Sequence, residues 1–134
     1  MEKRRLFWVG LVLLAMAMAA VSAHAEEIAI EIDVAPNVLN LNSNSEVVTV
    51  HTDIAYGSVA ASSVMLNDVA IDWWKADARG NFVAKFNSED IKTLEGLVIG
   101  GFNTLVLLGY TTGGDTFIGM QEILVVDNTP TGKN

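Results

Sequence analysis

The chain has 134 residues, of which 51% are hydrophobic and 18% charged, with a formal net charge of -8 and no cysteine. That length leaves room for one domain of ordinary size. The missing cysteines exclude a disulfide-stapled mini-protein, a thiol enzyme and a CxxC metal or redox site.

Lys3, Arg4 and Arg5 precede an uncharged apolar stretch from Leu6 to Ala20, and Ala23-His24-Ala25 stands before Glu26-Glu27. A basic start, about fifteen apolar residues and small side chains at the exit are the parts of a cleavable signal peptide over residues 1–25, cut after Ala25. The stretch is short for a membrane span, which needs ~20 apolar residues. No Cys follows it for a lipid anchor, so no membrane attachment is expected after cleavage. Three of the eight basic residues and one of the sixteen acidic ones fall in the leader, which leaves a net charge of -10 on 109 residues. Such a chain repels phosphate backbones and anionic headgroups, so nucleic acid and lipid surfaces are not expected partners. Export places the chain in the periplasm or outside the cell.

In the mature part, Ile28, Ile30, Ile32 and Val34 alternate with Ala29, Glu31 and Asp33, which predicts a half-buried strand. A short extended piece spans Val38 to Leu41, Asn42 to Ser45 form a polar turn, and Val47 to Thr52 is the next strand. A loop at Tyr56-Gly57-Ser58 precedes a strand ending at Leu66. Asn67-Asp68 is a two-residue hairpin connection into Val69 to Lys75. Asp77 to Asn81 is a turn rich in residues that tolerate positive φ. Phe82, Ala84 and Phe86 point inward from the strand that follows.

Asn87 or Ser88 caps a short helix over about 88–95, with Glu89 and Asp90 in its first turn and Ile91, Leu94 and Val98 at helical spacing. Asn103 to Thr111 is apolar on both faces, as expected of a central strand. Thr112 to Asp115 is a hairpin turn, Gly119 marks a bulge, and Glu122 to Asp127 is the last strand. Residues 128–134 read as a polar tail. Seven or eight short strands, one minor helix and no βαβ alternation predict an all-β, antiparallel β-sandwich over residues 26–127.

Three stretches carry a likeness: Ile30 to Asn37 with Leu39-Asn40-Leu41, Ser63 to Asn67, and the closing Gly109-x-Thr111-x-x-Gly114-x-x-Phe117-x-Gly119. They resemble an immunoglobulin-like sandwich module of secreted bacterial proteins, over about residues 28–127. The resemblance implies an Ig-like or fibronectin-like topology and a role in surface, adhesin-like or multidomain extracellular proteins, with no activity defined for the module itself. The loop at Asp77 is shorter than the acidic, glycine-rich form such modules can show.

Few residues present themselves as sites. His51 is the single histidine after the leader and has no nucleophile motif around it, so neither hydrolytic catalysis nor a zinc site is expected. Asp77, Asn81 and Asp72 are the candidate oxygen ligands for a calcium ion, with Arg79 inside the loop and an ordinary polar turn as the simpler reading. Trp73 and Trp74 must point to opposite faces of a strand. Sharing alternation with Val69 and Ile71 assigns Trp73 to the core and leaves Trp74 exposed, able to stack on a sugar ring or anchor a protein. The expectation is a non-enzymatic exported module for binding, adhesion or structural assembly, without a cofactor. The alternative is a carbohydrate-binding module, or less directly a carbohydrate-active enzyme, using Trp74. The first strand, near a free N-terminus, could also add to a second copy's sheet.

Overall fold

The structure, a computed structural model, describes residues 26–128; the predicted signal peptide with its cut after Ala25, and the tail from residue 129, lie outside the described residues. Ten strands occur among them: β1 (Glu27–Ala29), β2 (Ile32–Ala35), β3 (Val38–Asn40), β4 (Val47–Ala55), β5 (Val59–Leu66), β6 (Val69–Ala70), β7 (Trp73–Ala76), β8 (Asn81–Asn87), β9 (Gly101–Thr111) and β10 (Thr116–Val126). A single 3-10 turn covers Tyr56–Ser58, and one helix, α1, covers Ser88–Lys92. One sheet runs β1-β10-β9-β5-β6 with β3 also on β10, and the other runs β2-β4-β8-β7. The fold is all-β and sandwich-like.

The core lies between the sheets because each contributes one face of alternating apolar side chains. Val34, Val48, Val50, Phe82, Ala84 and Phe86 come from the four-stranded sheet. Leu39, Val64, Leu66, Leu105, Leu107, Phe117, Ile123 and Val125 come from the other. The predicted inward set Phe82, Ala84 and Phe86 is fully buried. Two glycines mark where packing is tightest. A Cβ on Gly109 would lie 2.5 Å from the Phe117 ring, and one on Gly119 would lie 2.6 Å from Ile32 Cγ2 and 3.2 Å from the Ile30 carbonyl oxygen. Gly119 is therefore not the bulge expected of it: β10 pairs with β9 in unbroken register from Thr116 to Val125. It is where the N-terminal segment crosses over the sheet.

That crossing splits the predicted first strand. β1 runs parallel to β10, pairing Glu27 to Ala29 with Thr116 to Ile118; β2 then joins the other sheet beside β4, and β3 returns to β10, again parallel. Residues 69–75 divide likewise, β6 pairing with β5 and β7 with β8. These two divisions account for the excess over seven or eight strands. In the opposite sense, the stretch from Phe117 on, expected in two parts, is one continuous strand that ends at Val126, one residue short of the predicted Asp127.

The Asn67-Asp68 connection forms as expected, with φ of 44° and 69°. The helix is shorter than residues 88–95. Asn87 is the cap, its Oδ1 accepting from the Glu89 N–H at 2.9 Å, but Thr93 closes the helix and Gly96 adopts φ 82°. Val98, which continues the helical spacing of Ile91 and Leu94 past the predicted end, lies in the loop and is exposed. What anchors α1 is its attachment to the 43–45 loop: Ser88 Oγ donates to the Ser45 carbonyl, and Lys92 Nζ, its side chain buried, donates to the Ser43 carbonyl at 2.6 Å. Asn128, placed in the tail by sequence, exchanges two hydrogen bonds with the Asn40 side chain.

Candidate functional site

The two tryptophans point to opposite faces, but the assignment of faces is the reverse of the expected one. Directly opposed residues of an antiparallel pair share a face. Trp74 opposes Ala84, a core residue, so it stands on the inner side of β7; because β7 is the sheet's last strand it keeps 38% exposure. Trp73 opposes Lys85 on the outer side and is 45% exposed, with the Lys85 ammonium 5.3 Å from its ring centroid. Lys85 Nζ also donates to Thr49 Oγ1 at 2.9 Å, so the cation is held over the ring from across two strands. The reason for the reversal is the passage between sheets at Ile71-Asp72. The Ile71 N–H donates to Val64, still beside β5, and the Asp72 N–H donates to Lys85, already beside β8. Alternation read through that joint loses its phase.

The three candidate calcium ligands are not brought together. Asp77 closes the hairpin between β7 and β8, its Oδ1 accepting the Arg79 N–H at 2.8 Å and the Asn81 N–H at 3.0 Å. Asp72 is at the other end of β7. Five residues of strand put it roughly 16 Å away, whereas oxygens sharing a calcium ion lie within about 5 Å of one another. Among the described residues no three His, Cys, Asp or Glu side chains form a group able to hold a metal ion.

The hydrogen bond from Asn81 holds the Asp77 carboxyl below its ordinary pKa of 3.8; desolvation opposes the shift, and the Arg79 N–H with the charges of Arg79 and His51 adds to it. A carboxyl with a depressed folded-state pKa stabilises fully above its unfolded value, and that contribution is lost as pH falls through the folded value. The Asn81 amide proton shift is therefore expected to titrate with a midpoint below 3.8, and Asp77→Ala to abolish the transition. A midpoint at or above that value contradicts the assignment.

His51 is exposed on the outer face of the four-stranded sheet, opposite Asp33 on β2 and Val83 on β8. With Glu31, Asp53 and Arg79 it lines a shallow depression of about 430 Å³. Thr52, the hydroxyl next to it in sequence, is buried and donates to the Phe82 carbonyl at 2.6 Å. That hydroxyl faces the core rather than the imidazole, and the depression does not assemble a nucleophile with its base.

The outer face of the larger sheet is an exposed apolar surface. On β9 and β10 the even-numbered side chains point outward: Phe102 (68% exposed), Val106, Leu108 and Tyr110 (54%) from β9, and Ile118, Met120 (59%) and Leu124 from β10. Met65 continues the face onto β5, opposite Leu108. Glu122 is the one charged residue among these β9 and β10 positions. Both-face apolarity of Asn103 to Thr111 does predict a central strand, and β9 lies between β10 and β5. It does not predict a cover, since no second layer lies over this face among the described residues. A contiguous apolar surface of this kind is characteristic of interaction sites.

Along this face runs a groove of about 900 Å³ that follows β9 from Asn103 to Tyr110, with the Asn67-Asp68 turn and Leu94 to Leu97 at one end and Thr116 and Glu27 at the other. Its architecture depends on Asn67, whose part was not anticipated. Beyond its turn conformation, Asn67 Oδ1 accepts the Val106 N–H at 2.6 Å and its Nδ2 donates to the Thr104 carbonyl at 3.1 Å, so one side chain substitutes for the end of a strand. Ser63 does the same at the β5 bulge, accepting the Tyr110 N–H at 2.9 Å. Comparison with protein-family models, with curated proteins and with solved structures returned no match.

Proposed function

We propose that this chain is an exported, non-enzymatic, immunoglobulin-like β-sandwich module that works by docking a protein on the outer face of its larger sheet. The observation that carries the reading is the uncovered apolar surface centred on Phe102, Leu108, Tyr110 and Met120. The Ig-like part is supported by strand order: four strands β2-β4-β8-β7 facing β10-β9-β5 resemble the four-plus-three arrangement of that architecture, with β6 added at one edge and the short β1 and β3 at the other. Export, to the periplasm or the exterior, rests on the basic and apolar leader before Ala25.

The test is site-specific photo-cross-linking of the full chain in its native cells, from position 120 and, as a control, from position 75 on the other sheet. Discrete adducts from 120 and none from 75 are expected. Adducts from neither position, or the same adducts from both, overturn the reading; an adduct of twice the protein's mass identifies a second copy as the partner. The glycan-binding alternative draws on the exposed rings of Trp73 and Trp74 on edge strand β7. Binding on a glycan panel that is lost in both Trp73→Ala and Trp74→Ala would put it in place of protein docking.

A further inference from the structure

β9 has a strand on both sides for only half its length. On the side away from β10, β5 pairs with Leu107, Leu108, Tyr110 and Thr111, and the turn at Asn67-Asp68 then carries the chain away. Backbone groups alternate along a strand, so those of every second residue face the same neighbour. The even residues of β9 face β5: the Tyr110 N–H meets Ser63 Oγ, and the Val106 N–H and C=O meet the Asn67 side-chain oxygen and backbone N–H. Continuing that alternation, the N–H of Thr104 and both the N–H and C=O of Phe102 are aimed at the open side, where no strand lies among the described residues. The Thr104 carbonyl is met only by Asn67 Nδ2.

One end of the groove described above lies along this open half. At this end its walls combine the apolar Leu94, Leu97 and Val106 with two carboxylates, Asp68 and Glu95, and the groove has no Lys or Arg; Glu27, opposite Thr116, belongs to its far end. The contrast with β7 is instructive, because that edge carries Lys75 and Trp73 sits under the Lys85 ammonium, the kind of charge that discourages strand addition. An uncharged strand edge floored by free amides and rimmed by acids selects for an extended segment of the opposite sign.

We propose that the open half of β9, residues 101–106, receives an extended peptide segment of a partner protein, in which apolar residues alternate with Lys or Arg, as an added strand of the larger sheet. The inference deepens the docking reading and rests on it: strand addition supplies the register, and the neighbouring apolar face supplies the adjoining contact. A second copy of this chain is a poor occupant, since the part after the leader has five basic residues against fifteen acidic ones.

The experiment uses residues 26–134 and a blocked octapeptide alternating Lys with Val or Ile, followed by amide NMR. Protection of the Phe102 and Thr104 amides on binding is expected, with at least tenfold weaker binding of the same peptide carrying Glu for Lys. Two N-methylated versions, modified at one or the other alternate set of residues, separate a paired edge from a greasy contact: one is expected to lose binding and the other to keep it. Thr104→Pro removes an N–H that faces away from β10 and is expected to weaken binding at least tenfold. Because that variant can disturb folding, Asp68→Asn with Glu95→Lys, both exposed positions, is the second test, expected to shift the preference at least tenfold toward the Glu peptide. Equal tolerance of both N-methyl patterns, or shifts confined to Leu108 and Met120 with Phe102 and Thr104 unmoved, overturns strand addition while leaving face docking in place. Absent cross-links from position 120 alongside the expected protection of Phe102 and Thr104 would instead withdraw the face and keep the edge.

Discussion

Phe117→Ala is expected to lower the unfolding free energy by about 3–5 kcal/mol, the range for deleting a buried aromatic ring. Phe117 is fully buried and is placed by its own strand against a residue chosen to have no side chain: it opposes Gly109 on β9, and its ring occupies the space a Gly109 Cβ would need. Val64 lies at the same point, 3.0 Å from that Cβ position. The contact therefore joins β5, β9 and β10. A shift of the denaturant midpoint with an unchanged slope is the expected readout. Gly109→Ala, the complementary change, forces the ring aside and is expected to cost about 1–3 kcal/mol. The two changes should not add, since removing the ring makes room for the methyl group. Additive losses would show that ring and glycine do not share this space.

Gly119→Val is the second large effect, expected to destabilise by at least about 2–3 kcal/mol, toward the upper part of the overpacking range. A methyl group at this position meets Ile32 Cγ2, which has some freedom, but also the Ile30 carbonyl oxygen, which has little. The Ile30 N–H is bonded to the Ile118 carbonyl at 2.9 Å, and the Val34 N–H is bonded to the Gln121 side chain. The N-terminal segment is thus pinned on both sides of the glycine and cannot simply lift away. Loss of amide protection at Ile30 and along β1, ahead of loss at β4 and β8, is the signature to look for. Uniform loss across both sheets, or a change smaller than 1 kcal/mol, would count against a local clash.

How far the sequence was legible follows from how local each cause is. The Asn67-Asp68 turn, the Asp77 to Asn81 hairpin and the Asn87 cap depend on side chains and backbone within four residues, and they form where the residues predict them. The inward faces of β4 and β8 are legible because neither strand changes sheet. What failed did so at joints. Period-two alternation carries a phase only while the chain stays in one sheet, and the passages at residues 30–31 and 71–72 reset it, which split the first strand and exchanged the roles of Trp73 and Trp74. Gly119 reads as a bulge because the reason for it, the crossing at Ile30 and Ile32, is almost ninety positions away. Asn67 is legible as a turn residue and illegible as a strand cap, since the groups it satisfies lie at Thr104 and Val106.

The parallel pairing of β1 with β10 also sets an order of events. Glu26 receives the Thr116 N–H on its carbonyl and donates its own N–H to Asp115, a separation of 89 positions, so the first residues described are held by the last hairpin. Contacts at that range close a loop containing nearly the whole domain, and loop closure of this size slows folding. During synthesis β2 finds its partner early, in β4, whereas β1 has no partner until residues through Ile118 have followed. Completion of the larger sheet is timed by its final strand, and a chain stopped before Thr116 leaves both β1 and β3 without their partner.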